Sequence, residues 1–300
     1  MAKKRKLFDD LEKNPIVKNL HVHPSLETID EKHANVKIYR PGDDSPNYYV
    51  KSSDAPQAIA SAISSNMYNN IDIATPPIHL SPTNRRGNIH IVQQDVNSIK
   101  DIKAVLAKDD IEYKKVSGKV WGKYKWQIFY DIELVRTLLQ FMTPECLEQL
   151  KDLFLIDELR SDKDRHAKNF FFYKKKGEDK YSGVIAIDLE LMHVLGYGSS
   201  KNEFVSFLTT PYQSETPQQN EDFLCFMQRN SNIRELLDDG VLSQRNIQTI
   251  KNALIYDLEQ DAKSTCKRQK IHGKRKNDIV TPIARLWDFN RETIGRDLGL

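Results

Sequence analysis

Asp164 and Asn169 stand five positions apart in "RSDKDRHAKNFFFY", residues 160–173, where a predicted helix gives way to a run of aromatics. A further carboxylate, Asp188, closes the next predicted strand, and Lys51 closes an earlier one. Transfer of a phosphoryl group asks little covalent chemistry of a protein. It needs a carboxylate to orient the attacking hydroxyl and take its proton, oxygen ligands to hold magnesium, and cations against the phosphates. Asp164, Asn169 and Asp188 have the right atoms for the first two tasks. Taken alone, Asp164 and Asn169 are also what a solvated helix-to-strand turn contains. The appearance of Lys51, Asp164, Asn169 and Asp188 in that order weighs against the turn.

The elements that must carry these residues are legible nearby. "NVKIYRPGDDSPNYYVK", 35–51, has two β-favouring arms around Pro41-Gly42-Asp43-Asp44, which is hairpin chemistry and delivers Lys51 on a strand. Ile59, Ile63 and Met67 then recur at helical spacing, with Asp54 as N-cap and Pro56 in the first turn, and the helix must stop before Pro76-Pro77. Residues 87–96 alternate as a strand, and 97–127 have no clear period. Ile132, Val135, Leu138, Leu139 and Met142 make one helical stripe, and Thr143-Pro144-Glu145 opens a second helix to about residue 159. "NFFFY" and "YSGVIAID" flank "KKKGEDK" as a hairpin ending at Asp188, and its consecutive aromatics are read as packing on both faces of a sheet. Residues 209–222 read as a polar loop, whereas the rest of 203–300 reads as helical, with Ser243 as an N-cap and a stripe through Ile247, Ile250, Leu254 and Leu258.

With 300 residues, 39% hydrophobic and 29% charged, the chain can bury a sizeable core, and two lobes are expected with a boundary near 96–100. The apolar runs are too short for a membrane span, and the N-terminus turns acidic where a secretory signal needs an apolar core. Cys146, Cys225 and Cys266 lack the spacing of a zinc site or a disulfide framework and suit a reducing compartment. His21 and His23 have no third ligand close by in sequence, and Trp121 and Trp126 are read as packing. A net charge of +3 is too small to imply nucleic acid as a partner. Much of the excess sits in "KKRK" at 3–6 and "CKRQKIHGKRK" at 266–276, the kind of run that serves as solvated surface or as a nuclear import signal.

In protein kinases the catalytic-loop Asp precedes a magnesium-binding Asn by five positions, and a second Asp follows one hairpin later. "DRHAKNFFF" with a later Asp188 resembles the D-x-H-x-K-N catalytic loop of the HipA-like serine/threonine kinases, and "DRH" is similar to the D-R-H-x-x-N loop of the phosphatidylinositol 3- and 4-kinases. The hairpin ending in "YYVK", 48–51, resembles the opening of the small bacterial relatives, among them secreted pro-inflammatory kinases of similar length. The resemblance implies an α+β, two-lobed protein-kinase-like fold, with an N-terminal extension over 1–34, a small β-rich lobe over 35–98 and a larger helical lobe over 99–300.

It also implies roles. Asp164 is the catalytic base, Asn169 and Asp188 bind Mg²⁺, and Lys51 contacts the phosphates of ATP. His166 packs the loop, and Lys168 reaches the transferred group. Gln93, Gln94, Asp95 and Val96 form the hinge that meets the adenine edge. The implied activity is ATP-dependent phosphorylation of serine or threonine in a protein substrate, or in the chain itself. Residence is expected in the cytoplasm, or after secretion in the nucleus of a host cell. The chain departs from the kinase pattern in three places: no glutamate occurs between Glu31 and Glu112 to pair with Lys51, leaving Gln57 or Ser61 to stand in; the hairpin has a single glycine; and Leu189-Glu190 follows Asp188. The departures motivate a nucleotide-binding pseudokinase as the alternative. A phosphoinositide kinase is a further one, disfavoured because 191–222 carries little positive charge.

Overall fold

The computed structural model describes residues 7–8, 17–22, 24–29, 36–42, 45–81, 88–107, 109, 140–160, 169–189 and 242–298. The stripe from Ile132 to Leu139, the 209–222 loop, Cys225, both tryptophans at 121 and 126 and the basic run at 3–6 lie outside these residues.

Five short strands form the first sheet: β1 (Glu27–Thr28), β2 (Val36–Tyr39), β3 (Tyr48–Ser53), β4 (Ile78–Ser81) and β5 (Ile89–Gln94). All neighbours are antiparallel, in the order β1-β2-β3-β5-β4. β2 and β3 are the expected hairpin, registered Val36 against Lys51, with Gly42 at φ +127° in its turn, a conformation that suits glycine. The segment before residue 35 also adds to this layer, through β1 and a 3₁₀ turn over Val17–Val22. Strand alternation sorts the side chains. Tyr48, Val50 and Val92 face Val17 and Leu20, whereas Ile89, Ile91 and Leu80 face the main core.

That core begins with α1 (Ala55–Asn70). Asp54 caps it, its carboxylate accepting the Gln57 N–H at 2.8 Å, and Pro56 lies in the first turn where no donor is required. The apolar spacing predicts one buried stripe, and Ile59, Ile63 and Met67 are indeed fully buried. So are Ser61, Ser64 and Ser65 on the other faces. The reason is tertiary: Arg160 donates to the Ser64 hydroxyl, the Ser65 hydroxyl donates to the Pro76 carbonyl, and a late helix meets Asn66 through Asp261.

The second sheet holds β6 (Ile102–Leu106), β7 (Phe170–Lys175) and β8 (Gly183–Ala186), antiparallel in that order. Phe170 and Phe172 point into the main core, while Phe171 and Tyr173 join Val96, Ile99 and Ile185 on the opposite face. Ala74, just past α1, bridges Ile185, and its carbonyl accepts the Ala186 N–H at 2.9 Å. This contact stitches the first lobe directly to β8.

Behind the second sheet lies α2 (Pro144–Leu159), capped by the Thr143 hydroxyl, which accepts the Cys146 N–H at 3.1 Å. α3 (Gln244–Leu254), α4 (Leu258–Arg268) and α5 (Gly273–Asp297) complete the body. Ser243 and Asn246 form a reciprocal capping box at the start of α3. The stripe read through Leu254 and Leu258 crosses a break, because Asp257 starts a new helix by accepting the Gln260 N–H. α4 and α5 then turn back over α1: Asn66 donates to Asp261 at 3.0 Å, and Gln269 donates to the Leu80 carbonyl at 3.1 Å. A single hydrophobic cluster therefore runs from α1 through β7 and β8 to Trp287 and Ile294.

Candidate active site

Lys51 occupies the β3 position that faces the second lobe, and its Nζ stands 3.9 Å from the Asp188 carboxylate. The two side chains are 34% and 47% exposed, so the pair is open to solvent. Asp188 follows β8 with φ +54°, a left-handed conformation that costs a non-glycine residue and that aspartate tolerates better than most. Strain of this kind persists where the surroundings hold a side chain in a particular direction.

Asn169 precedes β7. The register pairs Phe170 with Ala186, so Asn169 lies opposite Ile187, whose N–H donates to the Asn169 carbonyl at 3.0 Å. The hairpin thereby carries Asn169 and Asp188 to the same end of the second sheet, beside Lys51. An amide oxygen and a carboxylate are hard donors of the kind that suits Mg²⁺, which keeps several waters and takes its other ligands from phosphate; here Asn169 is buried and Asp188 is half-exposed. Asp164, His166 and Lys168, which precede Asn169 in the sequence, lie outside the described residues.

Gln93 and Gln94 end β5, and Asp95 turns the chain toward the second lobe. Tyr48 pairs with Gln94, three residues from Lys51, so this turn lies about 10 Å along the strand from the lysine. Asp95 is already committed within the chain. Its N–H donates to the Asn47 carbonyl at 2.8 Å, its carbonyl accepts from Ser98, and its carboxylate accepts the Asn97 N–H. Asp95 thus builds the turn, and Val96 is buried against Ile99, Tyr173 and Ile185. Tyr49 and Gln93 pair across β3 and β5, and Tyr49 shares the Lys51 face. Burial, and then the negative charge of Asp95, push the Tyr49 phenol up, with Arg40 opposing them.

Of the two stand-ins expected for the missing glutamate, Gln57 accepts a hydrogen bond from the Ser53 hydroxyl at 3.0 Å, and Ser61 is buried in α1. The carboxylate that Lys51 meets is instead Asp188. Sequence reasoning passed over Arg160, which ends α2 with its guanidinium buried beneath the site. Its one sequence signal is position, four residues before Asp164.

No protein-family model matches this sequence, and no curated protein matches it. Solved structures do. The Helicobacter pylori proinflammatory kinase CtkA superposes with a TM-score of 0.52 at 13% identity, covering 89% of this chain and 96% of that one. HipA of the Shewanella oneidensis MR-1 toxin–antitoxin system, in complex with HipB and operator DNA, superposes with a TM-score of 0.51 at 8% identity, covering 100% of this chain and 74% of that one. At such identities the likeness is one of fold. A β-rich lobe with a helix behind it, stitched to a larger helical lobe whose hairpin ends at Asp188, is a two-lobed protein-kinase-like fold.

Proposed function

We propose that the chain is an ATP- and Mg²⁺-dependent phosphotransferase that phosphorylates serine or threonine of a protein, its own chain included. The observation that carries this reading is the pairing of Lys51, from the first sheet, with Asp188 at the end of the second sheet that also carries Asn169. In this reading Lys51 holds the phosphates of ATP, while Asn169 and Asp188 hold magnesium. The ion, when bound, offsets the negative charge of the phosphate oxygens. The backbone of Gln93, Gln94 and Val96 meets the adenine, Asp95 shaping the turn that presents them. Asp164 accepts the proton of the attacking hydroxyl as its oxygen bonds to the γ-phosphorus and the bond to the β-phosphate oxygen breaks, releasing ADP. Lys168 stabilises the charge on the transferred group, and His166 fixes the loop.

The Lys51–Asp188 pairing supports an active enzyme over a nucleotide-binding module, because a lysine without a helix glutamate still has a carboxylate to align it. The test is incubation of the purified chain with γ-labelled ATP, with and without Mg²⁺, alone and with a panel of serine- and threonine-containing peptides. Magnesium-dependent label on the chain or on a peptide is expected. Magnesium-dependent ATP binding with no transfer to any hydroxyl leaves the nucleotide-binding module as the better reading.

A further inference from the structure

We propose that Arg160 is a positioning residue for the Asp188 end of the site, an inference that rests on the phosphotransferase reading above. Arg160 is the last residue held by α2, its N–H donating to the Ile156 carbonyl at 2.9 Å, and Asp164 comes four positions later in the sequence. Its side chain is 1% exposed. From there the guanidinium reaches three parts of the molecule. Nη2 donates to the Ser64 hydroxyl of α1 at 2.9 Å and to the Leu189 carbonyl at 3.4 Å. Nη1 lies 3.8 Å from the Asp157 carboxylate, and the guanidinium carbon sits 4.8 Å from the centre of the Tyr68 ring.

These partners are themselves fixed. The Ser64 hydroxyl donates to the Ala60 carbonyl at 2.7 Å, which turns a lone pair toward Arg160. The Tyr68 hydroxyl donates to Asp157, so one carboxylate serves both the ring and the cation. Leu189 is joined by a peptide bond to Asp188, and Asp188 is the residue held in the left-handed conformation opposite Lys51. One guanidinium thus links the helix behind β3, the C-terminal end of α2, and the residue after the proposed metal ligand.

Stability alone is a weak reason for this arrangement. A buried ion pair is often no more stabilising than apolar side chains of the same volume, because both charges must leave water. The planar fork of an arginine, by contrast, can bond two acceptors in fixed directions while its face lies on an aromatic ring, which the ammonium of a lysine cannot reproduce. The arrangement is that of an outer group orienting a ligand, and loss of such groups commonly lowers metal affinity by about 10–100-fold.

The experiment compares the full-length wild type with Arg160→Lys and Ser64→Ala, measuring ATP binding by calorimetry with and without Mg²⁺ and checking folding by thermal unfolding. Arg160→Lys is expected to lose about tenfold or more of the affinity that magnesium adds, with metal-free ATP binding retained. Ser64→Ala removes the anchor and keeps the charge, and a smaller loss in the same direction is expected. If Arg160→Lys does not fold, Ser64→Ala decides. A wild-type magnesium increment that the folded variants retain, or an equal fall with and without metal, overturns this inference alone. A wild type that binds no ATP in a magnesium-dependent way overturns the phosphotransferase reading and this inference with it.

Discussion

Replacing Lys51 by methionine separates structural from functional roles at the site, because the geometry sets a low ceiling on the structural one. At 3.9 Å the Lys51–Asp188 attraction in a water-like dielectric is about 1 kcal/mol. Both side chains are more than a third exposed, and pairs of that kind contribute roughly 0.2–1 kcal/mol after side-chain ordering. In a chain of 300 residues that corresponds to a change in Tm of roughly 2 °C or less. The phosphates of a bound nucleotide change the scale, since a preorganised donor aimed at developing charge is worth about 10²–10³ in rate. Lys51→Met is therefore expected to leave thermal unfolding nearly unchanged and to lower phosphate incorporation from labelled ATP by about 10²-fold, with residual activity from the magnesium ligands. A large drop in Tm would show that the pair holds the lobes together. Unchanged ATP affinity and turnover would refute the placement of Lys51 in the site.

Three further outcomes are expected. Asp164→Ala should lower transfer by about 10²–10⁴-fold without loss of folding, and single-turnover rates near wild type would remove Asp164 from the role of base. Asp188→Asn keeps shape but loses charge, so ATP affinity should fall more with magnesium than without it; isothermal titration in both conditions separates this from a folding defect. Tyr256→Phe should cost about 1 kcal/mol, because the Tyr256 hydroxyl donates to Asp261 at 2.8 Å. Burial and then the Asp261 charge raise the phenol above its usual value of about 10, so the stabilisation is complete below that pH and is lost as pH rises through the folded value. Denaturant midpoints of both proteins should keep a constant gap from pH 6 to 9 that narrows at higher pH, and a widening gap would contradict the assignment.

The sequence by itself determined what depends on residues a few positions apart. Asp54, Thr143 and Ser243 cap their helices because each side chain bonds a backbone N–H three residues on, and such a contact needs only local geometry. The hairpins that carry Lys51 and lead into Asp188 follow from turn residues between alternating arms. The order of Lys51, Asp164, Asn169 and Asp188 was legible for the same reason, as a pattern along one chain. Tertiary structure decided the rest. Whether Lys51 meets Asp188 or a residue of α1 depends on how two sheets are set against each other, which the Ala74–Ala186 contact and the shared core fix. The polar faces of α1 are buried because Arg160 and the late helices pack against them, and no periodicity within α1 announces partners that come about one to two hundred residues later. Arg160 reads in sequence as one more surface cation at a helix end. Only packing that brings Ser64, Tyr68 and Leu189 around it supplies the partners that make its burial affordable.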